Sequence, residues 1–178
     1  MLGKSSRAFV FPCALLATAT LLTQSMILQP RRFGQQNPTL PSFADGCPGE
    51  ICARLAGGAP GTLLAAADPC AAQDLADTFI TESKTNSKIT TQAAKDSMVQ
   101  FAQALASAEK NTPPDFTQNP PTPRNALFCT KQPTNSELQG FFVTQDPANG
   151  PNEFFDPATK STVLLGAPGT QPPGPRAN

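Results

Sequence analysis

The chain has 178 residues, 39% of them hydrophobic, with 20 prolines, 12 glycines and equal numbers of basic and acidic side chains. That leaves room for one modest, loop-rich domain. There is no Trp, no Tyr and no His, and the missing imidazole excludes Ser-His-Asp and Cys-His nucleophile pairs, histidine general bases and zinc sites that need His.

Lys4 and Arg7 lead into an apolar run, AFVFPCALLATA, that ends at Ala17-Thr18-Ala19. A charged, an apolar and a small-x-small segment in that order predict a secretory signal peptide over residues 1–19, with cleavage after Ala19. The apolar stretch runs on through LLTQSMIL for about 21 residues in all, close to the length that spans a bilayer. Its threonines, Gln24 and Ser25 weigh against an anchor, because polar side chains are costly in hydrocarbon. Arg31-Arg32 then forms a dibasic pair of the kind that kexin-like proteases process, so residues 20–45 are expected to be a propeptide or flexible amino-terminal arm. From Phe33 onward nine basic residues stand against 13 acidic ones, a net of −4. That balance argues against nucleic acid and anionic membrane surfaces as partners, and no stable membrane association is expected once the leader is removed.

Cys13 would leave with the leader, and four cysteines remain: Cys47, Cys52, Cys70 and Cys129. An even count in an exported chain predicts disulfides. No CxxC occurs, which disfavours thioredoxin-like chemistry and paired zinc knuckles. Of the three possible connectivities, the favoured one joins Cys47 to Cys52 across the Pro48-Gly49 turn and Cys70 to Cys129. A five-residue separation around a turn can bring the two side chains together.

Two helices are the most readable elements. Asp68 is placed to cap and Pro69 to open the first, after which Ala72, Leu75, Ala76, Phe79 and Ile80 recur at helical spacing, with Gln73, Asp74 and Asp77 on the other face. Its end is expected near Thr81, followed by a polar connector, ESKTNSK, from Glu82 to Lys88. The second runs from about Thr90 to Glu109, with Ala94, Met98, Phe101, Ala102 and Leu105 as its apolar stripe. Such stripes are the ordinary mark of packing, though two of them with a Phe-bearing sheet could also enclose a small apolar ligand. The many alanines favour close approach over a cavity.

From Asn111 to Asn125 five prolines in fifteen residues predict an extended surface stretch. Thr112, Thr117 and Thr122 lie in or near its proline pairs and are candidates for O-linked sugar; no Asn-x-Ser/Thr sequon with a non-proline x occurs. ALFCT, GFFVTQ, EFF and STVLLG then read as strands of a small antiparallel meander. Asp146-Pro147 and Asp156-Pro157 suit type I turns, and Phe141-Phe142 and Phe154-Phe155 place one ring on each face of a strand. Asp146, Asn149, Asn152, Glu153 and Asp156 form the richest oxygen cluster, but the alternating register of a calcium loop is missing, and turn chemistry accounts for these residues without a metal. The Pro- and Gly-rich end, residues 166–178, is expected to be disordered.

The predicted fold class is α+β: two amphipathic helices packed on a small antiparallel β-meander, stapled by disulfides, in a single domain over residues 46–165. The leader, the dibasic pair, the sparse cysteines, DPCAAQDLADTFI and DPANGPNEFFDPATKSTVLLGA together resemble small secreted proteins of fungi. The resemblance implies export and brings no activity or functional residue with it. The expected function is that of a secreted, disulfide-stabilised, non-enzymatic protein acting as an extracellular binding, cell-wall or host-interaction factor, with no cofactor or metal. The alternative is a carrier of a small apolar ligand between helices and sheet. A hydrolase working through Glu153 or Asp156 alone is the third reading, although both carboxylates would need a shared cleft.

Overall fold

The structure is a computed structural model that describes residues 40–174. The predicted leader with Ala19, the dibasic pair Arg31-Arg32, and residues 175–178 lie outside the described residues.

Among the described residues three α-helices form where the sequence predicts two. The added one, α1 (Gly49–Thr62), carries Gly57, Gly58, Gly61 and an internal Pro60. Each interior glycine costs about 1 kcal/mol against alanine, and proline about 3. Local propensity therefore argues against a helix here. Packing overrides it, because Ile51, Cys52, Leu55 and Ala59 all fall on one buried face. The Pro48 carbonyl opens the helix by accepting from the Ile51 and Cys52 N–H groups at 2.9 and 3.0 Å.

Helix α2 (Ala71–Thr85) starts from Cys70 in the N-cap position, with no side-chain cap, where Asp68 was expected to cap and Pro69 to open it. Asp68 Oδ1 instead accepts from the Cys70 N–H at 2.8 Å, closing the turn ahead of the helix. It runs one turn beyond the expected end at Thr81. Ser83 is the reason: small, buried, and donating its hydroxyl back to the Ile80 carbonyl at 2.7 Å, it continues the inward face of Phe79 and Ile80. Helix α3 (Gln92–Ala106) starts at the Thr91 cap, whose hydroxyl accepts from the Ala94 N–H at 3.1 Å. All five residues of its predicted stripe are buried.

The helical core closes on a ring cluster, with Phe79 and Phe101 4.6 Å apart between centroids and Phe43 at 5.7 and 4.8 Å from them. Phe43 belongs to the stretch assigned to a flexible arm. Residues 40–45 are instead part of the fold: Leu40 and Phe43 pack on the core, and the Ala44 N–H donates to Ser97 Oγ at 3.1 Å.

The sheet is mixed, where an antiparallel meander was expected. Strand β1 (Asn125–Ala126) pairs in parallel with β2 (Glu153–Asp156), which pairs antiparallel with β3 (Ser161–Leu164), in the order β1-β2-β3. GFFVTQ forms no ladder. Its Gln145 side chain does a strand's pairing instead, accepting from the Ala126 N–H at 2.8 Å and donating to the Ala126 carbonyl at 2.9 Å. Both Asp-Pro turns form, Asp146 and Asp156 each accepting from the N–H two residues on at 2.9 Å. Nor does the sheet share the helices' core: Ala126, Phe128, Phe154 and Phe155 are buried apart from that cluster. The expected disordered end is folded as far as Thr170. That residue is buried, and the Gly169 carbonyl, at a positive φ of 80°, accepts from the Phe128 N–H at 2.7 Å.

Candidate functional site

The two disulfides are those favoured from the sequence. Cys47–Cys52 joins the chain before α1 to its first turn, with Cα atoms 6.0 Å apart. Cys70–Cys129 joins the start of α2 to the segment after β1, with Cα atoms 4.5 Å apart.

Beside this second bridge the chain from Lys131 to Glu137 is clasped onto α2. Asp77, which helical periodicity assigns to the solvent face, is 7% exposed. Its carboxylate accepts from the Thr134 N–H at 2.9 Å, the Asn135 N–H at 2.7 Å and the Asn135 amide at 3.0 Å. Asn135 returns further amide bonds to the Asp77 carbonyl and the Thr81 hydroxyl, while its Oδ1 accepts from Lys84 Nζ at 3.0 Å. Lys84 also pairs with Glu137, and this hydrogen bond, followed by the local backbone, holds the Glu137 carboxyl below its usual range. Gln73, buried as well, donates to the Lys131 carbonyl at 2.9 Å. Above the clasp lies an open groove of about 310 Å³ lined by Asp74, Asp77, Thr78, Thr81, Glu82, Lys131 and Thr134. Lys131 closes one side on Asp74 at 2.6 Å, and that bond raises its pKa.

A second constellation surrounds Arg124, whose guanidinium lies 4.7 Å over the Phe155 ring. It donates to the Pro113 and Pro114 carbonyls at 2.9 and 3.0 Å and to the Thr162 hydroxyl at 3.0 Å. These bonds turn the expected Pro-rich surface stretch into a fixed loop. Asp115 completes it: its backbone pairs with Thr122, and its carboxylate accepts from Thr117 and Thr162. The Thr117 hydroxyl, then the Thr162 hydroxyl, bring the Asp115 carboxyl down to about 2. The residue this loop holds out is Phe116, 70% exposed.

Between helices and sheet sits Lys110, 5% exposed, its ammonium donating to the Ala67 and Asp68 carbonyls at 2.9 and 2.8 Å. Burial pushes its pKa down to about 8 against the opposing pull of Asp68. It borders a cavity of about 10 Å³ with Thr112, Ala126 and Phe155, room for about one water.

The oxygen cluster singled out in the sequence is dispersed into local roles. Asp146 and Asp156 serve their turns, and Asn149 donates to the Arg124 carbonyl at 3.0 Å. The Asn152 carbonyl accepts from the Leu165 N–H at 2.9 Å. Glu153 Oε2 is buried with no hydrogen-bond partner. Among the described residues no group of three Asp, Glu or Cys side chains is placed to hold a metal ion. Glu153 and Asp156 stand three apart on one strand and so face opposite sides of the sheet. Of the candidate sugar acceptors, Thr117 is exposed, whereas the Thr112 hydroxyl is turned inward onto the Arg124 carbonyl at 2.6 Å. Ala76, Phe79 and Ile80 of α2 and Met98 and Phe101 of α3 are buried in the helical core.

The clasp and the Arg124 plate were not found from the sequence. Asp77 and Asn135 stand 58 residues apart, and Arg124 and Thr162 38, so no local spacing carries the signal. The features define a small disulfide-bonded α+β protein with an open polar groove and a fixed aromatic loop. Comparison of the chain with protein-family models, with curated proteins and with solved structures gives no match.

Proposed function

We propose that this chain is a small secreted, disulfide-stabilised, non-enzymatic protein that acts by binding a partner outside the cell, as a cell-wall or host-interaction factor. The observation that carries the reading is the fixed loop from Pro113 to Thr122. It holds Phe116 in solvent through bonds from Arg124, Asp115 and Thr162. Binding surfaces gain when an aromatic anchor is ordered beforehand, because less freedom is lost on association. Export is supported by the leader pattern and by the two bridges, which persist in oxidising compartments.

The test is expression behind the chain's own leader in a eukaryotic secretory host. The reading expects protein in the medium with an amino terminus near Thr20 or Phe33. Protein kept in membranes with Met1 intact contradicts export. Hydrolytic activity that is lost in Glu153→Gln or Asp156→Asn contradicts the non-enzymatic assignment.

A further inference from the structure

We propose that α1 is a releasable lid over α2, latched at its amino end by the Cys47–Cys52 disulfide and hinged at its carboxyl end. The hinge is firm. Just past the helix the Leu63 carbonyl accepts from the Asn111 N–H at 2.9 Å, and Lys110 grips the Ala67 and Asp68 carbonyls.

The amino end buries Ile51 and Cys52 in the core and otherwise has few fastenings of its own. Pro48, in the N-cap position, gives no side-chain cap, and the ion pair from Glu50 to Lys88, at 3.2 Å, lies between two exposed side chains. What is well anchored is the chain just before the helix. Phe43 sits against Phe79 and Phe101, the Asp45 carbonyl accepts from the Thr91 hydroxyl at 3.0 Å, and Gly46, at φ 98°, leaves no room for a side chain against Thr91. The disulfide transmits that anchorage to the first turn of α1, and its Cys47 sulfur rests 3.6 Å from Met98 Sδ.

The helix between latch and hinge is the one whose glycines and proline oppose helix formation, so its order depends on being held down. Elements of this kind open locally while the rest of a fold stays closed. Two-electron reduction by a small dithiol opens the latch: the Cys47–Cys52 bond becomes two thiols, taking up the dithiol's two protons, and the dithiol leaves as its cyclic disulfide. Lifting α1 uncovers the apolar side of α2 around Leu75, which Gly58 faces.

The test is amide hydrogen exchange on the full chain carrying Cys47→Ser and Cys52→Ser, with Cys70–Cys129 intact. The proposal expects exchange in α1 to quicken by about 30-fold or more beyond the change that α2 and α3 share through the global loss of stability. Gly57, where an added Cβ meets nothing within 4 Å, supplies the second variant. Gly57→Ala in the double-serine background should slow α1 exchange again through helix propensity alone. No excess of exchange in α1 over α2 and α3, or no recovery with Gly57→Ala, would each overturn it.

Discussion

Asp77 and Asn135, 58 residues apart, are joined through both backbone and side chain: the carboxylate of one accepts the other's N–H at 2.7 Å and its amide at 3.0 Å. One buried carboxylate thus fixes where the chain from Lys131 to Glu137 meets α2, and with it the wall of the groove. Asp77→Ala leaves the Thr134 and Asn135 N–H groups without an acceptor, and the expected loss is about 2 kcal/mol, since Asn135 is buried and an unsatisfied buried donor costs roughly 1–3. Asp77→Asn should also destabilise, because an amide turns a donor toward one of those N–H groups. Urea unfolding measures both, and a loss below about 0.5 kcal/mol for Asp77→Ala contradicts the clasp.

Lys110 predicts a pH dependence. Its pKa falls from 10.5 in the unfolded chain to about 8 in the fold. Below pH 8 it is charged in both states. Between about 8 and 10.5 the unfolded chain holds the proton that the folded one has lost, so stability rises with pH through that window. At about 1.4 kcal/mol per pKa unit the gain is about 3 kcal/mol. Lys110→Met should remove this rise, and the difference between the two stability–pH curves isolates it from the other lysines. Parallel curves would contradict it.

The two bridges should differ in weight. In the chain-entropy account, a loop of about 60 residues contributes about 4 kcal/mol and one of about six contributes about 2. Replacing Cys70 and Cys129 by alanine is therefore expected to lower the unfolding free energy by about twice as much as replacing Cys47 and Cys52. Equal losses in denaturant titrations contradict the assignment of the long bridge as the principal staple.

Phe116 should be dispensable for folding. At 70% exposure it has little burial to lose, so Phe116→Ser is expected to change stability by less than about 0.5 kcal/mol. Asp115→Ala removes the acceptor for Thr117 and Thr162 and should make residues 116–121 the first site of limited proteolysis while the helices stay protected. A cooperative loss of structure in Phe116→Ser would show that the ring is a core residue and end its reading as an anchor.

What could be read from the sequence was what short-range chemistry decides. The α3 stripe, the Asp-Pro turns and the inward face of α2 at Ala76, Phe79 and Ile80 follow from spacing and turn chemistry, and the Cys47–Cys52 pairing follows from its turn. Helix α1 was illegible because Gly57, Gly58 and Pro60 oppose helix locally while Ile51, Leu55 and Ala59 gain their burial only once α2 is in place. The meander failed for a related reason: a strand-like run from Gly140 to Gln145 is satisfied by one side-chain amide on Ala126. Asp77 looked solvated because a helix wheel does not know what will be laid over its polar face. Phe43 was hidden in a stretch whose composition reads as linker.

Two bridges staple this fold, and a non-reducing peptide map with intact mass reads both of them at once. One peptide pair linked through Cys70 and Cys129, an internal link between Cys47 and Cys52, and a gain of about 4 Da on reduction as four thiols form are expected. Free thiols at any of the four positions, or Cys47 linked to Cys70 or Cys129, would contradict it.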